Sequence, residues 1–225
     1  METTVQTNAK ELWSGGDSPF KVSYGKIMMW YFLISDTFSF AGLLISYGAI
    51  RLSQPAHNPE IANSWPDPNE VFAAVPFVHG HYPLVFVTFM TFTLILSSVT
   101  MVRAVQEGHN MNRSGVLFWL SLTILGGLTF VGSQAFEWSH LIHEGMTLKG
   151  NPFGAAGFGQ LFFLITGFHG FHVSIGVLLN SWAFLMTFFG AFHRRGHYEM
   201  IEKLGLYWHF VDLVWVFVFL AFYLL

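Results

Sequence analysis

The chain has 225 residues, of which 53% are hydrophobic and only 10% are charged, and its formal net charge is −3. Soluble domains carry about 25% charged residues, so this composition excludes an ordinary soluble globule and predicts an integral membrane protein. No basic block suggests a nucleic-acid partner. The absence of cysteine excludes disulfides, thiolate-bound metals and covalently attached c-type haem.

The chain order predicts a polar N-terminal tail, residues 1–26, followed by one membrane domain, residues 27–225. The tail lacks the apolar core of a cleavable signal peptide, so the first span is expected to be its own insertion signal. A membrane-crossing helix needs about 20 apolar residues. The prediction is therefore an all-α bundle of five transmembrane helices, with spans near 27–50, 83–103, 116–136, 158–189 and 205–225.

Basic residues predict the orientation of these spans. Eight of the ten lie in the N-terminal tail and in the second and fourth loops, whereas the first and third loops carry only Arg51 and Lys149. The positive-inside rule then places the N-terminus inside and the C-terminus outside. Six glycines within the spans are expected to let neighbouring helices approach closely: Gly126, Gly127, Gly132, Gly167, Gly170 and Gly176.

Two outer loops follow from this topology. Residues 51–82 hold most of the prolines and are predicted to lack regular structure. Residues 137–157 form the second loop, in which His140, His143 and Glu144 could in principle bind zinc. An ordinary polar loop is the favoured interpretation, because no second ligand cluster accompanies them. His79 and His81 are equally weak evidence of a metal site.

Four titratable residues lie inside the last two spans: His169, His172, His209 and Asp212. A charged or imidazole group in hydrocarbon is costly, so it usually has a partner or a function. Facing histidines could bind haem, which would make the chain a membrane cytochrome. Depth argues against that, because His172 falls near mid-membrane whereas His209 lies only ~6 Å from the predicted inner end of its span. We expect hydrogen bonds instead, which lock the fourth and fifth helices together or bind a partner's helices.

Asp36 lies about ten residues, or ~15 Å, inside the first span. It could be a proton-relay carboxyl or the coupling site of a transporter. The later spans offer no succession of acids for a relay, and the chain shows no inverted repeat typical of transporters. A structural acid is the favoured interpretation from the residues alone. Glu137, with Gln134 one turn before it, ends the predicted third span, where a solvated or capping acid is expected.

Several segments together resemble subunit III of haem–copper cytochrome oxidases. TGFHGFHVSIG at 166–176 is followed about thirty residues later by YWHFVDLVWVFVF at 207–219. LTILGGLTFVGSQAFEW at 122–138 resembles the family segment that ends in a Gln-x-x-Glu-aromatic pattern. YFLISDTFSFAGLLISYG at 31–48 resembles the helix that carries the family's intramembrane carboxylate. The resemblance covers about residues 27–50 and 116–225.

The resemblance implies a non-redox subunit in a bacterial inner membrane, packed against the catalytic subunit I and other oxidase subunits. Haem and copper would lie in those partners, and this chain would hold none. It would bind phospholipid and support proton uptake while the complex reduces oxygen to water, and the complex could join a respiratory supercomplex. Asp36 would be the proton-handling or structural acid, and the interhelical or inter-subunit contacts would be Gln134, Glu137, His169, His172, His209 and Asp212.

Two departures from the family pattern matter. Longer members have seven helices, the first two of which form a lipid cleft, so here the cleft would be incomplete or finished by a partner. The intramembrane acid is usually Glu in cytochrome c oxidases, whereas Asp occurs in the related quinol oxidases. The Gln134–Glu137 pattern and Tyr207 before Trp208 favour cytochrome c as the electron donor. A quinol oxidase, or a partner of nitric oxide reductase, is the alternative.

Overall fold

The computed structural model describes residues 23–55, 64–72 and 84–224, and all regular structure within these ranges is helical. Five helices are long, and we number them from first to fifth: Tyr24–Ser53, Val85–His109, Arg113–His143, Ala156–Phe188 and Glu199–Phe219. The fifth continues as a π-helical turn, Leu220–Leu224. Two short helices, Pro68–Val71 and Ala191–Arg195, lie between them.

The five predicted spans are confirmed as five helices that are long and apolar enough to cross a membrane. Their ends differ from the prediction. The third helix continues to His143, so residues 137–143 are helical rather than an outer loop, and the fifth begins at Glu199 rather than near 205. Hydropathy marks only the part of a helix that suits hydrocarbon, whereas the backbone stays helical through the polar membrane interface.

The fifth helix lies at the centre of the bundle, where it packs against the first, second and fourth helices. The third helix packs between the second and the fourth. The first helix lies at the edge, on the fourth and fifth helices. The core is therefore built around the chain's last span, and the first span is added to its side.

Trp208 shows how the glycines allow this packing. A methyl group on Gly127 would lie 2.6 Å from the Trp208 ring, and one on Gly176 would lie 2.8 Å from it. The indole of the fifth helix thus fits between the third and fourth helices, and its Nε1 donates to Ser97 Oγ at 3.1 Å. Close approach is confirmed at these two glycines and also at Gly126 and Gly167, where such a methyl group would lie 2.6 Å from Ser97 and 3.0 Å from Trp138. Gly132 and Gly170 have no neighbour within 4 Å of such a methyl group.

Residues 64–72 cover one end of the bundle. Asp67 caps the short helix Pro68–Val71 by accepting from Asn69 N at 2.9 Å. The Phe72 ring packs on Tyr223 with a 4.2 Å separation of ring centroids. This turn of helix departs from the predicted absence of regular structure in residues 51–82, because a capped proline start favours one helical turn. His79, His81 and most of the predicted N-terminal tail lie outside the described residues.

Candidate functional site

Asp36 and His172 face each other across the first and fourth helices. Asp36 Oδ2 lies 3.1 Å from His172 Nε2, and the two side chains are only 15% and 8% exposed. Tyr207 of the fifth helix donates its hydroxyl to the His172 backbone oxygen at 2.9 Å, so the pair lies where three helices meet. A carboxyl that is isolated in the sequence therefore has an imidazole partner in the fold.

The contact of His172 Nδ1 determines which ring nitrogen of His172 carries a hydrogen. Nδ1 lies 2.8 Å from the Phe168 carbonyl oxygen, which can only accept, so Nδ1 carries a hydrogen. Nε2 is then left for the carboxyl, and the pair can hold one proton between Nε2 and Oδ2. The 3.1 Å contact has the distance of an ion pair but lacks hydrogen-bond geometry, so a small rotation would complete the bond. Phe40 packs edge-on against the His172 ring.

His209 binds a residue of the second helix. Its Nδ1 lies 2.6 Å from Ser98 Oγ. Asp212, one turn further along the fifth helix, also lies beside Ser98, and its buried Oδ1 has no hydrogen-bond partner among the described residues. The contact connects the second and fifth helices within their packed interface.

His169 is fully buried, and neither ring nitrogen has a hydrogen-bond partner among the described residues. Aromatic rings from three helices surround it: Phe40, Phe130 and Trp215. The Trp215 ring of the fifth helix is the nearest of these, with 5.2 Å between ring centroids. His169 thus contributes to the packing of the bundle as one ring of an aromatic cluster.

Glu137, in the third helix, is a second carboxyl inside the bundle, with 7% of the residue exposed. It accepts from Gln134 Nε2 at 2.9 Å and from the Tyr223 hydroxyl at 3.1 and 3.0 Å. The solvated or capping acid expected from the sequence is wrong, because the third helix continues past Glu137 and Tyr223 covers it. The Tyr223 contact joins Glu137 to the π-helical end of the fifth helix, whereas Gln134 contacts Glu137 within the third helix.

The helix pairs differ from those predicted for the four residues of the last two spans. His172 reaches the first helix and His209 the second, whereas the His169 ring packs on Trp215 of the fifth helix. His209 also lies ten residues after Glu199, or ~15 Å into the helix, because the fifth helix begins earlier than predicted. Ser98 and Tyr223 were missed, since a serine or an end-of-span tyrosine is common in membrane helices.

The possible zinc ligands do not come together. His140 Nε2 pairs with Glu144 Oε1 at 3.1 Å, one turn apart on the surface of the third helix. In the described part of the chain, no group of three or more His, Asp or Glu side chains could hold a metal ion. The pair is an ordinary surface contact of modest strength.

The fold and its buried polar pairs define a multi-pass α-helical membrane protein. The sequence model of the family described as cytochrome c oxidase subunit III matches residues 8–225. The chain therefore belongs to the cytochrome c oxidase subunit III family, within the haem–copper oxidases.

Known relatives include subunits of oxidases named for quinol and subunits of oxidases named for cytochrome c. The chain is 32% identical over 200 residues to a cytochrome bo(3) ubiquinol oxidase subunit 3 of Pseudomonas putida, covering 87% of this chain and 83% of the relative. It is 30% identical over 198 residues to a cytochrome c oxidase subunit 3 of Bacillus sp. (strain PS3), with the same coverage. A probable quinol oxidase subunit 3 of Staphylococcus aureus (strain USA300) is 35% identical over 148 residues, covering 64% of this chain and 69% of the relative.

Proposed function

We propose that this chain is a non-redox subunit of a proton-pumping terminal oxidase in a bacterial inner membrane. It stabilises the catalytic subunit and supports proton uptake while that subunit reduces oxygen to water. The Asp36–His172 pair is the observation that carries this proposal, since it combines two titratable groups at 3.1 Å inside the membrane region.

The pair is suited to proton handling rather than to packing alone. A hydrophobic contact would fix the first helix as well, whereas a carboxyl and an imidazole in hydrocarbon are costly and are typical of functional sites. Thr37 and Ser39 contribute no further relay within the first helix, because each donates to a backbone oxygen of its own helix.

The test replaces Asp36 in the assembled oxidase. We expect Asp36→Ala to slow proton uptake and to reduce the number of turnovers before activity is lost. Asp36→Asn keeps the shape of the side chain but cannot release a proton, so the same losses are expected. Ser39→Ala, on the same helix, is the matched control and is expected to behave as the parent chain. Unchanged proton uptake and unchanged turnover lifetime in Asp36→Ala would leave Asp36 with a structural role only.

Cytochrome c is the electron donor we propose for the complex. The Gln134–Glu137 pattern and Tyr207 before Trp208 support it, as does the resemblance to the Bacillus relative named as a cytochrome c oxidase subunit. Quinol is the second candidate, because the Pseudomonas putida relative is named as a ubiquinol oxidase subunit. Oxygen consumption by the purified complex with reduced cytochrome c, and separately with a quinol, decides between them.

Partner and lipid binding form the last part of the proposal. The chain packs against subunit I and binds phospholipid, and the large exposed apolar side chains of the first helix, such as Tyr31 and Phe38, support an environment of lipid or partner helices. Purification in mild detergent tests this: we expect oxidase subunits that carry haem and copper to co-purify, and lipid phosphorus to remain bound. A Soret band that stays with this chain alone would contradict the non-redox assignment.

A further inference from the structure

Glu137 has a setting unlike that of Asp36. Its two hydrogen-bond donors, the Gln134 amide and the Tyr223 hydroxyl, are both neutral. No cation lies among the contacts that the described residues make with it, so an ionised Glu137 would be a buried and uncompensated charge. A carboxyl in hydrocarbon surroundings therefore holds a proton, and that proton needs a route if it is to equilibrate with water.

A small cavity adjoins this carboxyl. It has a volume of about 10 Å³, which is about the space that one water molecule needs. The cavity is lined by Glu137, His140 and two apolar neighbours of the third helix, by Phe86 and Val87 of the second helix, and by Val71 and Phe72 of segment 64–72. Glu137 and His140 are its titratable lining residues, and they lie three residues apart on one helix face.

His140 connects the cavity to the surface. Its side chain is partly exposed, and its Nε2 pairs with the exposed Glu144 at 3.1 Å. The polar groups therefore follow one another at the end of the third helix: two side chains of similar partial exposure, Glu144 and His140, then a cavity the size of one water, and then a buried carboxyl. The walls between them are otherwise apolar.

We propose that this cavity holds one water that bridges Glu137 to His140, and that Glu137 exchanges its proton with the adjacent aqueous phase by this route. In each exchange, Glu137 donates its proton to the water and accepts another from it. The water renews its own protons by giving one to His140 and receiving one back, and His140 exchanges protons with the aqueous phase in the same way. No net charge is left inside the membrane. Proton transfer is efficient when donor and acceptor are within hydrogen-bond reach directly or through one water.

Infrared spectroscopy of the purified oxidase complex tests the proposal. The C=O stretch of protonated Glu137 is identified as the carboxylic-acid band that Glu137→Gln removes, and its shift is followed after transfer into D₂O. We expect His140→Leu, which removes the relay group, to slow that shift about 100-fold. Val87→Leu, which fills the cavity without changing a titratable group, is expected to do the same.

His143→Leu is the matched control, since His143 lies on the same helix but does not line the cavity. It is expected to leave the exchange rate unchanged, and co-purification with normal oxidase activity shows that each variant is folded. Parental exchange in either His140→Leu or Val87→Leu would overturn the proposal. So would equal slowing in His143→Leu, or the absence of any carboxylic-acid band that depends on Glu137.

Discussion

The first and fifth helices are attached to the bundle in different ways. Within its most apolar stretch, the first helix has only 11% of its residues buried, compared with 44% in the fifth. The fifth helix presents Trp208 and Trp215 to its neighbours, both almost fully buried. The first helix buries only Leu33, Phe40 and Tyr47, and its long-range polar contacts include Asp36 with His172 and Lys26 with Glu202.

The difference shows how a membrane bundle divides its stabilising interactions. Lipid is as apolar as leucine, so association between helices depends on close packing and on polar contacts. The third and fourth helices have glycines, Gly127 and Gly176, that receive the Trp208 ring of the fifth helix, and packing dominates there. The edge helix lacks such contacts at Gly42 and Gly48, where an added methyl group would have no neighbour within 4 Å. Its position therefore depends on polar pairs together with a few packed rings, such as Tyr47 on Phe222 with 4.2 Å between ring centroids.

Removing the central ring is expected to have the largest effect. Trp208→Ala empties the space between Gly127 and Gly176, and large-to-small changes of buried aromatic residues cost about 3–5 kcal/mol. The free energy of unfolding, measured by denaturing-detergent titration, should fall by about that amount. Trp182→Ala removes a 44% exposed ring from the fourth helix and serves as the control. Equal losses in the two variants would contradict a packing role that is specific to Trp208.

Separating Asp36 from His172 is expected to have the next largest effect, and a double-mutant cycle measures it. Asp36→Asn, His172→Gln and the double variant should give a coupling energy of about 2 kcal/mol, within the range that such cycles find for residues in contact. The same titration serves as the measurement. A coupling energy near zero would mean that the 3.1 Å contact does not fasten the first helix.

His209 tests whether a polar contact also matters inside the packed part of the bundle. His209→Ala removes the bond to Ser98 and is expected to cost about 1 kcal/mol, since neighbouring packing keeps the second and fifth helices together. It should also reduce the amount of this chain that co-purifies with the oxidase, as should Asp212→Ala. Ser121→Ala, which removes an exposed hydroxyl bonded within its own helix, is the control. Full retention of both variants would contradict a role in assembly.

The sequence predicted the five spans because a bilayer demands long apolar helices, and it singled out Asp36 and Glu137 because carboxyls there are conspicuous. The residues that contact these carboxyls could not be predicted from the sequence. Tyr223 lies 86 residues from Glu137, and it reaches that carboxyl from a π-helical turn, whose extra residue per turn changes which side chains face inward. Such pairings depend on helix order and rotation in the bundle, which hydropathy does not record.

The Lys26–Glu202 pair is expected to have the smallest effect, although its atoms are only 2.6 Å apart. Both side chains are about a quarter exposed, and exposed ion pairs contribute about 0.2–1 kcal/mol. Lys26→Met and Glu202→Gln should therefore show a coupling energy below about 1 kcal/mol that disappears at high salt, because salt screens exposed charges. His140 and Glu144, 3.1 Å apart at the end of the third helix, give a control pair that does not involve the first helix. A salt-resistant coupling as large as that of Asp36 with His172 would show that the first helix is fastened at its polar end rather than at mid-membrane.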